Sequence, residues 1–286
     1  MTKQFTPIQT PHRMLDEFIK LSLWFVYNTL QKGVPDIEKL LTYRVDIYRN
    51  TTLFDGKNKS MDRDLGPRWA KIIKQLKRMY HKHMGDPNSK GFETNGLELL
   101  RPLLRTAHWE TPGPGPRPYE CWTFNEHDGV RIDLHVVNIY QPRSPLSEMK
   151  VPFAASLMRL LQDTTTRQAT INTVSCGSWL NSVPRFAAMF PRSWMDHTKS
   201  IDQIGYTMNH WGQFINRAGQ FHPHNGSQFR QTERLPFPCL ICQCPIIEAV
   251  NHLEANFPDA VAYNHEKNSR DLKYYVDARI RKQSDC

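Results

Sequence analysis

The stretch Thr111-Pro-Gly-Pro-Gly-Pro-Arg-Pro118 constrains this chain more than any other part of it. Proline at every second position removes backbone donors and pushes each preceding residue out of helical angles. Neither a helix nor a central strand can cross it. The chain must therefore organise on either side of it, and 286 residues are enough for one large domain or two small ones. The reading that follows is a helical part at 1–110, packed on an α/β core at 119–258, with a charged tail at 259–286 that is partly helical.

Before the proline stretch the apolar residues keep helical time. Leu15, Phe18, Ile19, Leu23 and Val26 recur at three- and four-residue steps, and Gly33-Val-Pro35 ends the run. Asp36 is placed to cap a second helix through Ile37, Leu40 and Leu41. A third helix has the clearest two-sided pattern. Trp69, Ile72, Ile73, Leu76, Met79 and Tyr80 share one side, while Lys71, Lys74, Lys77, Arg78 and Lys82 stud the rest. Residues 85–118, rich in glycine and proline, read as irregular.

After the proline stretch the period changes to two. Residues 119–125 and 130–140 read as strands joined by the turn Glu126-His-Asp-Gly129, with Ile132, Leu134 and Val136 on one face and Arg131, Asp133 and His135 on the other. Ser144-Pro145 introduces a helix over 146–161, in which Pro152 either bends the helix or marks its true start. A strand follows at 169–175. Strand, helix, strand is a crossover, which sets the two strands parallel in one sheet. A short helix at 183–190, a hairpin over 204–222 turning at Asn216-Arg-Ala-Gly219, a buried strand at 240–246 and a helix at 247–253 complete the pattern. The fold class is α/β (or α+β): a mixed sheet with a strand-helix-strand crossover, preceded by a helical N-terminal part.

Charge and cysteines bound the function classes. Residues 1–110 carry 19 Lys and Arg against 12 Asp and Glu, a surplus of +7 out of +9 for the chain. Such a field favours anionic partners, yet no zinc-finger or RNP-like spacing is present. The longest apolar run, residues 21–27, falls far short of the ~20 residues that span a bilayer. The N-terminus carries no apolar signal core, so a cytoplasmic location is expected. Cys121 and Cys176 are isolated, and Cys239, Cys242 and Cys244 sit in an apolar run, which suits buried thiols better than a metal site; no metal is expected.

The most unusual segment is Ser175-Cys-Gly-Ser-Trp-Leu-Asn-Ser-Val-Pro-Arg-Phe, which ends in Phe190-Pro191. It leaves a strand and enters a short helix, the place where α/β sheets put their sites. With His135 and Asn138, the Arg143-Ser-Pro loop, Trp211-Gly-Gln-Phe and Asn216-Arg-Ala-Gly219, it resembles an uncharacterised family of bacterial proteins over roughly residues 119–250. That likeness implies that these segments share one site or one core, and it brings no activity with it. The order of elements is also similar to the core of GNAT-type acyltransferases. That resemblance implies an acyl-CoA or acyl-carrier donor whose phosphates would lie on Gln141-Pro-Arg-Ser144, held by Arg143 and Ser144. The family's loop is glycine-rich. This one has no glycine and two prolines, which remove N–H donors that such a cradle needs.

The first functional reading is thus a group-transfer enzyme acting on a small-molecule substrate, acyltransferase-like, with a phosphate-bearing donor. His135 is the proton-transfer candidate because its ordinary pKa suits acid–base work, and Ser178 and Asn181 join it as catalytic candidates. Asn138, Trp179, Trp211 and Gln213 are the substrate-binding candidates. Cys176 at the strand end is a weaker nucleophile candidate. The alternative reading is a basic binding protein whose N-terminal helices contact nucleic acid or an acidic partner.

Overall fold

The computed structural model describes residues 11–34, 36–54, 65–105 and 117–266. The elements run in chain order α1 (Pro11–Gln31), α2 (Ile37–Tyr43), α3 (Pro67–His83), α4 (Lys90–Leu100), β1 (Trp122–His127), β2 (Arg131–Val136), α5 (Lys150–Arg167) and β3 (Thr173–Ser178). Then come α6 (Pro184–Ala187), α7 (Ser193–Asp196), β4 (Lys199–Ser200), α8 (Met208–Trp211), α9 (Pro223–Thr232), β5 (Leu240–Pro245), α10 (Ile246–Asn256) and a final helix, α11, over 258–266. The fold is mixed α/β, with a helical part preceding a five-stranded sheet. Among the described residues no helix is long and apolar enough to cross a membrane.

The chain divides into two compact units, Met1–Glu110 with Ile201–Cys239, and Thr111–Ser200 with Leu240–Cys286. The first boundary falls at the proline stretch, most of which lies outside the described residues. The second is one that sequence periodicity does not announce: it joins residues 201–239 to the N-terminal helices.

In the first unit α1 is the central helix. Leu15, Phe18, Ile19, Leu23 and Val26 are all buried, as their spacing requires. Asp36 caps α2 by accepting the Lys39 N–H at 3.0 Å, a bond that also holds its carboxyl below the ordinary carboxylate range. The third helix buries Trp69, Ile72, Ile73 and Leu76. Residues 90–100, expected to be irregular, form α4. Its glycines signal close approach instead of a break. A Cβ on Gly91 would lie 2.5 Å from the His83 ring, and one on Gly96 would lie 2.9 Å from Leu23. The expected hairpin over 204–222 is also corrected. Residues 208–214 are helical, and only the turn survives, with Ile215 bridged to Phe221 and Asn216 Oδ1 accepting the Ala218 and Gln220 N–H groups. The alternating apolar residues there reflect aromatic packing. Trp211 meets Phe18 and Phe25 edge-on, and Phe229 stacks on Phe25. Arg230 adds a two-pronged bond to Glu93 at 3.1 and 2.7 Å, tying α9 to α4.

In the second unit the strand order is β1-β2-β3-β5-β4. A tight turn with Asp128 and Gly129 both at positive φ joins β1 to β2 in an antiparallel hairpin. The pairing of β2 with β3 is parallel, as the crossover through α5 predicts, and β3–β5 and β5–β4 are antiparallel. The helix α5 begins at Lys150, so Pro152 sits in its first turn, where the missing N–H has no helical partner to lose. One sheet face, with Ile132, Leu134, Val174, Cys176, Cys242 and Cys244, is buried in a core shared with α5 and α10. Trp122 stacks on Phe153 with centroids 4.5 Å apart and donates its indole N–H to the Phe153 carbonyl. The thiols are part of this packing. Burial pushes Cys244 up to about 12 and raises Cys242, so neither is a thiolate at neutral pH.

Candidate functional site

The register Asp133↔Ser175 in the parallel pair sets the C-terminal ends of β2 and β3 level at one edge of the sheet. The loops that leave those ends carry most of the residues picked out by sequence. Their polar atoms, however, are spent within the fold.

Asn181 is 1% exposed and makes three bonds. Its Nδ2 donates to the carbonyls of Cys176 and Leu240, both at 2.8 Å, and its Oδ1 accepts the Trp194 indole N–H at 3.1 Å. This amide fastens β3, β5 and α7 together. Ser178 accepts the Leu180 N–H at 3.1 Å and caps the short helical turn after β3. Trp179 is half-buried. In the other loop Asn138 is occupied as a turn former. It donates to the Arg143 carbonyl at 3.1 Å and accepts the Tyr140 N–H at 2.9 Å. The Ser144 hydroxyl accepts the Leu146 N–H at 3.2 Å, its own N–H donates to Glu148 at 2.8 Å, and the Arg143 side chain is exposed. A carboxylate receiving that N–H is the opposite of an anion cradle.

The two residues expected to close a side of this site lie in the other unit. Trp211 is fully buried there and donates to the Arg44 carbonyl at 3.0 Å. Gln213 is 1% exposed, with Nε2 donating to the carbonyls of His210 and Phe237 and Oε1 accepting the Phe237 N–H. Both are core residues of the first unit. Two hollows among the described residues lie elsewhere. One of about 60 Å³ sits beside Trp24 and Lys32, and one of about 90 Å³ beside Lys150 and Phe257. Both are well below the ~300 Å³ at which small-molecule sites begin.

His135 is exposed on the polar face of the sheet, with Asn125 Nδ2 at 2.9 Å from its Nε2. Beside it lies a cluster centred on Asp133. His127 Nε2 is 2.8 Å from Oδ2, Arg131 Nε is 3.2 Å from Oδ1, and the Ser175 hydroxyl donates to the same Oδ1. Serine, histidine and arginine all converge on the carboxylate, so histidine does not stand between serine and acid as a nucleophile relay requires. The alternation Arg131-Asp133-His135 was the signal for this face. What sequence alone did not give was the diagonal partner His127.

The remaining candidate is the outer side of α3. Arg68, Lys71, Lys74, Lys77, Arg78 and Lys82 are all exposed, and the helix contains no acidic residue. Elsewhere in the same unit several surface cations are matched: Lys20 with Glu17, Lys32 with Glu233, Lys39 with Asp36, Arg101 with Asp16 and Arg230 with Glu93. Among the described residues none of the six cations of α3 meets a carboxylate. Seventeen residues make a rod ~25 Å long, with cations three or four positions apart, ~4.5–6 Å, except for the adjacent Lys77 and Arg78.

No protein family, curated protein or solved structure matches this chain.

Proposed function

We propose that this protein binds nucleic acid through the basic side of α3, by contacts to phosphates. The observation that carries this reading is a helix whose six exposed cations have no carboxylate partner among the described residues. The pairs Lys74/Arg78 and Arg78/Lys82 are like charges at four-residue spacing, and each costs the helix ~0.2–0.5 kcal/mol. A polyanion relieves that repulsion. A chain of regularly repeated phosphates suits a regular row of cations better than a single anionic ligand does. A lipid surface is disfavoured because the apolar side of α3 is consumed: Trp69, Ile72, Ile73 and Leu76 are buried in the core, leaving nothing to insert between acyl chains. The aromatic side chains of α3 do not serve stacking on bases. Trp69 is buried, and Tyr80 packs against Tyr27 and Phe92. Recognition therefore rests on phosphate and is nearly independent of sequence.

The group-transfer reading needs His135, Arg143, Ser178 and Asn181 to present polar atoms to one pocket. Ser178 and Asn181 turn theirs inward, so the geometry favours the binding reading over it. The test is charge reversal. Lys74→Glu with Arg78→Glu weakens binding to a labelled duplex at least tenfold by fluorescence anisotropy at low salt. Lys39→Glu, on α2, changes it little. Equal affinity in the doubly reversed variant and the unaltered protein would sink the proposal.

A further inference from the structure

In the first unit a buried histidine has no hydrogen bond to account for it. His210 is 4% exposed, and neither of its ring nitrogens has a hydrogen-bond partner among the described residues. Other histidines spend theirs: His83 on Asp86 and Asn95, His222 on the Asn225 N–H, His252 on the Ala188 carbonyl. A buried polar group without a partner costs stability, and an apolar ring of similar size would fill the same space without that cost.

The ring lies against a strap of chain. Residues 201–206 have no regular structure, and a Cβ on Gly205 would sit 3.6 Å from both Cε1 and Nδ1 of His210. Three bonds hold the strap. The Ile201 N–H donates to the Cys239 carbonyl at 2.9 Å, the Tyr206 N–H donates to the Tyr43 carbonyl at 3.1 Å, and Arg44 Nε donates to the Ile204 carbonyl. Asp202 and Gln203 are exposed, so the strap runs at the surface. A surface segment held by so few bonds opens at a lower cost than the core does.

The surroundings of the ring disfavour a proton on it. Burial lowers the imidazole below its ordinary value of 6.5; the Ile201 backbone opposes this, and the Arg44 guanidinium adds to it. Arg44 is fixed in place, with its carbonyl accepting the Trp211 indole N–H at 3.0 Å and its guanidinium 5.8 Å from the Phe25 ring centroid. The other titratable groups on the neighbouring segments do not replace it. Asp202 is exposed, and Tyr206 has its ring 4.6 Å from the Arg49 guanidinium. Burial pushes the Cys239 thiol up to about 11 and the Asp46 carboxyl up to about 7.

We infer that His210 is a proton-sensitive latch: residues 201–206 close over the neutral ring, and a proton taken from solvent at mildly acid pH releases them. Above pH 6.5 the ring is neutral whether the strap is closed or open, so acidity has no hold on it. Below that pH the open form takes up a proton that the closed form resists, and the closed form loses ground by up to about tenfold per pH unit. This inference uses no residue of α3 and stands apart from the nucleic-acid reading.

Hydrogen exchange followed by NMR on the full chain tests the latch, with each rate expressed relative to that of an unfolded chain at the same pH. Between about pH 7.5 and about pH 5.5, protection of the Ile201 and Tyr206 amides falls at least about threefold. Protection of the Glu233 amide, bonded to the Phe229 carbonyl in α9, does not fall. In His210→Phe the Ile201 and Tyr206 amides keep the same protection at both pH values. A second reading needs no variant: the His210 Cε1–H resonance of the unaltered protein shifts with a midpoint below 6.5, and the Tyr206 resonances shift with it. Protection that does not fall on acidification, an equal fall in His210→Phe, or a His210 midpoint at or above 6.5 overturns the inference.

Discussion

Asn181→Ala is the perturbation whose size follows most directly from the structure. The amide makes three bonds: two donated to the carbonyls of Cys176 and Leu240 at 2.8 Å, and one accepted from Trp194 at 3.1 Å. Each is worth ~1 kcal/mol net, and the buried groups left without partners cost more than the bonds were worth. Trp194 is fully buried and stacked on Phe190 at 3.9 Å, so its indole N–H cannot turn to water without breaking that stack. The total comes to about 3–5 kcal/mol, which lowers the melting temperature by ~6–15 °C for a chain of this size. Asn181→Asp is at least as costly, because a carboxylate would present an acceptor to two carbonyls. Thermal unfolding followed by tryptophan fluorescence reads both variants. A melting temperature within a degree or two of the unaltered protein would refute the reasoning and return Asn181 to the role of a ligand-facing group.

Burial raises Asp46 to about 7 from 3.8, against the opposing pull of Arg49. Folding therefore takes up a proton between about pH 4 and pH 7, and stability falls as pH rises through that window. Asp46→Asn removes the term, so its stability relative to the unaltered protein improves by up to ~4 kcal/mol between pH 4 and pH 8 in urea melts; a difference that does not change with pH contradicts this. Gly226→Ala sets a Cβ 2.5 Å from Phe221 Cζ, and the ring has to move, at a cost of ~1–3 kcal/mol by the same melts. Glu93→Gln breaks the two-pronged bond to Arg230 and disturbs the Ser89 hydroxyl, which donates to the same carboxylate at 2.6 Å. Arg230 is one-third exposed, so the expected cost is held to ~1–3 kcal/mol, and a smaller effect would mean that α9 is held in place by its aromatic contacts with α1 instead.

Sequence carried the parts of the fold that depend on local period. The basic and apolar sides of α3, the Asp128-Gly129 turn and the strand-helix-strand crossover all depend on residues within a few positions of one another. It failed where a residue answers to something distant. Gly91 and Gly96 read as breakers, yet they are small because His83 and Leu23 lie against them. Residues 204–222 read as a hairpin, yet Trp211 and Phe214 belong to an aromatic core with Phe18 and Phe25, nearly two hundred positions away. The strand-end residues were ambiguous in sequence for the same reason. Asn, Ser and Trp look alike in sequence whether they face a ligand or, as Asn181 does, two carbonyls and an indole. The row of cations on α3 needed only the helix to be placed, because lysine and arginine outside such a core have nowhere to go but solvent.

The salt dependence of binding tests the central claim most directly. If α3 sets four to six cations against phosphates, the logarithm of the association constant for a short duplex falls linearly with the logarithm of salt concentration, with a slope between about −3.5 and −5.5. Two duplexes of unrelated sequence should give lines that nearly coincide. Affinity unchanged between low and high salt, or no binding to either duplex at low salt, would contradict the claim that this helix is a nucleic-acid contact.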